Sequence, residues 1–526
     1  MHRTGAVYGV DVGPAAEQRV FYRGSSLQPG EWNNYDIEVA GDAYAVRLNG
    51  FETATFTNTT AGRGVPAGQN ASSGFVGVQS HTGQVFVPSD PDQGGLRRQG
   101  PCRRCSVGAT RRGTSIRRFR SPGSRLRVLH LTTEFPPLIY GGMGTAVGGW
   151  VTSSARSGLS VAVELVEGPL VLGDQPHVVH GAPHDRPQAG LGLVEGPAGV
   201  EFLQVQWAEG SQAGVELVRA WQPDIVHLHT AVLWPVAQAI LDEVGVPLVY
   251  HVHSVDRAGY EIGEEPNLWL ANSRTQSDAI LAADRVIALS ESERELIDRY
   301  YPQVRTRVRV VGNGIDDSVN AQRAVAREHR TGRPVILYVG RLVERKGIRD
   351  LLAAVATVVE ADRSVTFVFA GGPPPLTGDE VAEQWLEEDL APFRNWITFT
   401  GWLPPGEVNR WYEVADILVV PSRYEPFGMV ILEGMLHGLP IVATGLGGPA
   451  EIIDSGRTGV LVPPRDPPAL AAALVCLIRD PSRRWGLGRS AALEVRDRWL
   501  WPRRVEVMEE VYRELLEARE LVAVTS

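Results

Sequence analysis

The stretch Val335-Ile336-Leu337-Tyr338-Val339-Gly340-Arg341-Leu342-Val343-Glu344-Arg345-Lys346-Gly347 decides the fold. Five apolar residues end at a glycine, too short a run for a helix and suited to a strand buried on both faces. A helical segment follows. The same strand–turn–helix unit recurs on both sides. Toward the C-terminus, strands are expected at Val365–Ala370, Ile397–Phe399, Ile417–Val420 and Ile441–Ala443. Toward the N-terminus they are expected at Leu126–Leu131, Asp224–His229, Val246–His253 and Arg285–Leu289, with a break at Asn313-Gly314-Ile315-Asp316. Two such arrays imply an α/β protein of two Rossmann-like, doubly wound domains facing a cleft. Ligands of such sheets bind at the carboxyl ends of the strands.

The 526 residues allow three or four domains, and 43% hydrophobic with 21% charged residues is ordinary globular usage. No apolar run is long enough for a membrane helix, and no N-terminal apolar segment reads as a secretory signal. Three cysteines (Cys102, Cys105 and Cys476) cannot build a disulfide framework, so a cytoplasmic, reducing setting is expected. The net charge of −10 argues against a nucleic-acid partner. Lys346 is the single lysine; every other basic residue is arginine.

Charge is unevenly spread. Arg97 to Arg127 holds 11 arginines and no acid, among Gly, Ser and Pro, and reads as a basic disordered linker. Cys102-x-x-Cys105 lies inside it without a second ligand pair, so no metal site is expected there. Before the linker the pattern is all-β: Tyr35, Ile37 and Val39 alternate with polar residues, then Tyr44, Val46 and Leu48, then the Asn49-Gly50 turn. Phe75–Val78 and Val85–Val87 add two short strands to an N-terminal β-sandwich fragment. At the other end, Val505, Met508, Val511, Tyr512, Leu515 and Leu516 mark an amphipathic helix with a core-facing stripe.

The expected divisions are therefore 1–95, a partial β-sandwich; 96–125, the linker; 126–318, a first Rossmann-like domain; 319–495, a second; and 496–526, a helix packing back on the cleft domains.

Three motifs carry chemistry. Gly141-Gly142-Met143-Gly144 lies between a strand end and a helix start, where backbone N–H groups can approach an anion. Arg341 and Lys346 lie in a similar turn. Cations at a helix start oppose the macrodipole, and make better sense with an anion between, such as a leaving diphosphate. Glu425 and Glu433 flank Gly428, which opens a helix whose first N–H groups (Gly428, Met429, Val430) are free donors. Carboxylates accept paired hydrogen bonds from sugar hydroxyls.

Taken in order, the Gly-rich loop, R-x4-K and E-x7-E resemble the retaining glycosyltransferases of family 4, with the GT-B fold, from about Leu126 to the C-terminus. Asp224–His229, Val286–Ser290 and Gly438–Ala443 match as well. The segments GEWNNYDIEVAGDAYAVRLNG and SGFVGVQSHTGQVFV resemble the C-terminal part of the 3-keto-disaccharide hydrolase domain, a concanavalin-like sandwich.

The resemblance implies that Arg341 and Lys346 bind a donor diphosphate, that Glu425 faces the donor sugar and that Glu433 holds the ribose. It places the backbone of Gly428, Met429 and Val430 against phosphate and sugar. Gly141, Gly142 and Gly144 close over the diphosphate and acceptor side, and His253 stands beside the transferred sugar. His251 is the weaker candidate. Catalytic roles thus fall to Arg341, Lys346, Glu425 and His253. No metal or cofactor is implied, only a nucleoside-diphosphate sugar as co-substrate. The acceptor is a carbohydrate or lipid-linked hydroxyl, which leaves peripheral membrane contact open. The alternatives are a non-catalytic carbohydrate binder or, within the fold, a glycogen/starch synthase-like enzyme or a nucleotide-sugar 2-epimerase. Two positions depart from the pattern. Ile139 replaces the lysine usual in starch and glycogen synthases two residues before the Gly-Gly pair. His437 stands where a small residue or cysteine is usual.

Overall fold

The computed structural model describes residues 19–20, 35–40, 43–48, 51–57, 125–136, 139, 141–167, 170–171, 176–177, 194–195, 199–207, 209–261, 266–319, 333–372, 376–386 and 388–525. The chain divides into two compact units, residues 1–112 and 113–526. In the first, strands Tyr35–Ala40, Ala43–Leu48 and Phe51–Thr57 form an antiparallel meander, with Arg19–Val20 pairing outside Phe51–Thr57. The expected strands at 75–78 and 85–87, the Cys102–Cys105 pair and the linker up to residue 124 lie outside the described residues.

The second unit holds two sheets. In the first the order is Val308–Val310, Arg285–Ala288, Leu248–Val252, Ile225–Leu228, Arg127–Thr132, Ser160–Glu167, Glu201–Gln206, then Val194–Glu195. All pairs are parallel except the last. In the second the order is Ile397–Gly401, Thr366–Ala370, Val335–Val339, Ile417–Val420, Ile441–Thr444, Gly459–Val462, all parallel. Both sheets start in the middle and reverse direction beside their first strand. Each therefore has a topological switch point, where the loops after two neighbouring strands leave in opposite directions and open a crevice. In the first sheet it lies between Arg127–Thr132 and Ile225–Leu228. In the second it lies between Val335–Val339 and Ile417–Val420.

Central strands such as Ile417–Val420 and Ile441–Thr444 are wholly buried, because helices cover both faces and only apolar residues can fill both sides. The last helix, Trp501–Thr525, returns to the first domain and packs on helix Gly142–Arg156. Its stripe of Val505, Met508, Val511, Tyr512, Leu515 and Leu516 is buried. No helix among the described residues is long and apolar enough to cross a membrane.

Candidate active site

The two switch points hold the three motifs. After Arg127–Thr132 comes the glycine loop, and helix Gly142–Arg156 starts there with extended Gly141 as its cap and no side-chain cap. Small residues are needed for packing here: a Cβ on Gly144 would lie 2.8 Å from the Glu134 carboxylate and 3.3 Å from Ile139. A Cβ on Gly142 would come within 3.6 Å of Met429, a residue of the second domain, so the loop reaches across the cleft.

After Val335–Val339, the chain turns through Gly340 to Arg341, which is exposed and whose carbonyl accepts a 2.7 Å bond from the Tyr338 hydroxyl. One turn of 3-10 helix, Glu344–Lys346, follows. Gly347 (φ 69°) then caps helix Ile348–Ala361. From the neighbouring strand end, the loop at 421–428 brings Glu425 onto Lys346: Nζ donates to Oε2 at 2.5 Å. The Ser422 hydroxyl donates to the same oxygen at 3.3 Å. The two loops are also tied by backbone bonds from the Arg423 and Tyr424 amides to the Arg345 carbonyl (2.8 and 3.4 Å) and by a bidentate Arg423–Asp350 pair (2.8 and 2.9 Å).

Charge follows from this packing. Burial lowers the Lys346 pKa, with the Arg345 and Arg341 charges adding to it, and the Glu425 carboxylate only partly compensates. Burial alone would raise Glu425. Lys346, by charge and hydrogen bond, together with Arg345 and Ser422, outweighs it and holds the carboxyl below its ordinary value. Lys346 and Glu425 thus form a largely buried ion pair, and exposed Arg341 adds its charge to the same turn.

Gly428 (φ 108°) opens helix Met429–Leu436, a conformation that glycine alone adopts cheaply. Glu433 lies on its second turn, half-buried, and accepts a 2.6 Å bond from the buried Tyr412 hydroxyl. Burial raises the Glu433 pKa, and the Tyr412 bond opposes the rise. Tyr412 in turn stacks on His437 (ring centres 5.3 Å, 22°). This gives the unusual His437 a packing role: it braces the tyrosine that holds Glu433.

His253 lies one residue beyond strand Leu248–Val252, half-buried, at the carboxyl end of the first sheet. Its Nε2 is 3.2 Å from His229 Nδ1. His251 is fully buried behind it. Sequence reading missed several neighbours. Arg345, 7% exposed, lies over the Tyr424 ring at 5.9 Å. The Tyr424 hydroxyl donates to Glu293 of the first domain and accepts from the Val255 amide at 3.1 Å. Burial above all else pushes Glu293 up to about 7. An aromatic just before a glutamate in a loop was the available signal.

Residues 333–480 match the family described as glycosyl transferases group 1, and residues 160–319 match Glycosyltransferase Family 4. Residues 1–87 match the 3-keto-alpha-glucoside-1,2-lyase-like domain. D-inositol 3-phosphate glycosyltransferase 1 of Catenulispora acidiphila is 31% identical over 379 residues, covering 70% of this chain and 86% of that protein. Glycogen synthase of Mycobacterium tuberculosis is 28% identical over 413 residues, covering 74% of this chain and 94% of that protein. Among solved structures, sucrose-phosphate synthase of Thermosynechococcus elongatus superposes with a TM-score of 0.59 at 22% identity, over 75% of this chain and all of that one. Anabaena HepE in complex with UDP and glucose gives 0.55 at 21%, over 73% and 99%. These likenesses carry the GT-B fold. With motifs, fold and relatives in agreement, the chain belongs to the group 1, family 4 glycosyltransferases.

Proposed function

We propose that this glycosyltransferase binds a nucleoside-diphosphate sugar between its two sheets and transfers the sugar to a hydroxyl acceptor with retention of configuration. One observation carries the proposal: the loop holding Arg341 and Lys346 and the loop holding Glu425 and Gly428 meet at one switch point, with Lys346 and Glu425 in contact. Arg341 and Lys346 neutralise the diphosphate as it leaves. Glu425 holds Lys346 charged and accepts from the donor sugar, Glu433 accepts from the ribose, and the Gly428, Met429 and Val430 amides meet phosphate and sugar. Gly141, Gly142 and Gly144 let the facing loop close down. His253 lies beside the sugar.

The bond between the sugar's anomeric carbon and the diphosphate oxygen breaks. The acceptor oxygen bonds to that carbon on the same face, and its proton passes to the departing phosphate. The protein contributes position and preorganised charge. The acceptor is a carbohydrate or lipid-linked hydroxyl. The Mycobacterium tuberculosis relative named glycogen synthase supports a growing glucan as one such acceptor, although Ile139 stands where that class usually has lysine.

A thermal-shift screen against UDP, GDP, ADP and their sugar conjugates tests the donor site. A ligand at about 100 times its Kd adds roughly 2.7 kcal/mol to the folded state. The expected result is one nucleotide class that stabilises wild type and fails on Lys346→Ala. Stabilisation by no nucleotide would overturn the donor reading.

A further inference from the structure

Five histidines share one face of the first sheet. His130 pairs in register with His227, and continuing the register Leu228↔Tyr250 by one residue sets His229 beside His251. Alternate strand residues share a face, which adds His253. Three of the rings are joined end to end. His130 Nδ1 lies 2.8 Å from His229 Nε2, and His229 Nδ1 lies 3.2 Å from His253 Nε2. The ring centres are 5.2 and 5.5 Å apart, longer than the nitrogen contacts by about one ring diameter. The nitrogens therefore lie on the lines joining the rings, the geometry of in-plane N–H···N bonds. His227 stacks on His229 at 4.4 Å and His251 on His253 at 4.7 Å, and the Tyr512 hydroxyl lies 2.5 Å from His227 Nδ1. Two triples within this group bring ring nitrogens within 4.8 Å, close enough for a metal. In the joined row, however, the facing nitrogens are already committed to each other.

We propose that His130 and His229 are positioning residues that set the tautomer of His253, so that it presents Nδ1–H to the cleft. This rests on the reading of His253 as the residue beside the transferred sugar. A neutral imidazole has one donor and one acceptor. With both bonds made, the three protons sit either all on Nδ1 or all on Nε2. The interior end decides between them. His130 Nε2 is buried and has no hydrogen-bond partner among the described residues. The all-Nε2 arrangement strands an N–H there, and orphaned buried donors are the rarest unpaired groups in folded proteins. The all-Nδ1 arrangement leaves a bare lone pair inside and turns the last N–H outward at His253, toward a sugar hydroxyl or phosphate oxygen. The rings stay neutral, because burial lowers His130 to about 3 and His253 to about 4.

The test is the nitrogen-15 spectrum of the full chain labelled at histidine, at pH 7, with His253 assigned through His253→Phe. The expected result is a protonated Nδ1 at His253 in wild type. In His229→Phe, His253 is expected to become a tautomer mixture while kcat falls roughly 10–100-fold, the range for groups that orient a functional histidine. His229→Gln, which keeps a donor and an acceptor, is expected to restore part of both. A wild-type His253 protonated on Nε2 overturns the proposal. So does an unchanged His253 spectrum in a folded His229→Phe protein, or stoichiometric zinc uptake by wild type. Full turnover in His253→Phe would instead overturn the sugar-facing reading on which the proposal rests, whatever the tautomer.

Discussion

Lys346 is the one basic position that arginine has not taken. Its ammonium is four-fifths buried against Glu425 and is repelled by the Arg345 and Arg341 charges. A compact point charge fits there, whereas a planar fork needs two acceptors in its plane. Lys346→Arg is therefore expected to lower kcat by about 10²-fold, near the loss from deleting one transition-state donor, with the melting temperature little changed. Near-normal turnover in a steady-state assay would end the assignment. A second residue tests the scaffold. Glu164 is fully buried on strand Ser160–Glu167, and both carboxylate oxygens lack a hydrogen-bond partner among the described residues. Burial raises its pKa to about 8. The folded state thus holds a proton that the unfolded state releases above its ordinary carboxylate value. Its contribution to stability is full below about pH 4.5 and is lost as pH rises through about 8. Glu164→Gln should raise the melting temperature more at pH 8.5 than at pH 5.5, and an equal shift at both would contradict this. Residues such as Lys346 and Glu425 were legible because their motifs keep order and spacing along the chain. Arg345 and the histidine row were not, since Arg345 is covered by Tyr424 from a loop 79 residues on, and His130 meets His229 only through strand order.

At the scale of elements, Gly347 joins the cation turn to its helix. Its φ is 69°, and an added Cβ would lie 1.9 Å from the Pro421 carbonyl oxygen. Both the left-handed backbone and the clash oppose a side chain, and the clash is with backbone, which cannot swing away. Gly347→Ala is expected to cost roughly 3 kcal/mol, combining left-handed strain with overpacking, and to push apart the loops bearing Lys346 and Glu425. Denaturant midpoints measure the first effect, and a larger loss in kcat than in donor affinity the second. Central strands were readable from apolar runs. Strands at Ser160–Glu167, Glu201–Gln206, Val308–Val310 and Gly459–Val462 escaped for physical reasons. Ser160–Glu167 buries Glu164 within it, which breaks the apolar run. Glu201–Gln206 is covered on its outer side only by Val194–Glu195, so it alternates polar residues that a window reads as loop. The other two are short strands at sheet edges, held by tertiary pairing rather than by their own composition.

Across the whole molecule, the cleft is framed by a hinge on one side and ties on the other. The chain crosses between domains twice, near Ile315 and near Leu500, and the crossings bond to each other: the Ile315 amide donates to the Trp499 carbonyl at 2.8 Å, and the Trp501 amide to the Ile315 carbonyl at 3.2 Å. A few such connecting residues are where a hinge can absorb backbone change. The ties are Tyr424 on Glu293 and Val255, the Ser290 hydroxyl on the Pro426 carbonyl at 3.0 Å, and the Glu451 carboxylate accepting the Glu291 and Ser292 amides at 2.9 Å each. They join the loop at 421–428 and helix Gly448–Ile452 to the first domain, in the arrangement that brings Met429 close to Gly142. On the proposed function a donor enters with these ties open, and they reform once it is bound. Weakening them shifts the population toward open, and apparent affinity falls with the closed fraction. Tyr424→Phe removes the hydroxyl from both bonds while keeping the ring under Arg345. It should raise the donor KM severalfold, leave kcat within about twofold, and enlarge the ligand-free radius of gyration in solution scattering, with donor restoring the wild-type value. If KM and scattering both match wild type, the ties are packing alone and closure is set at the crossings.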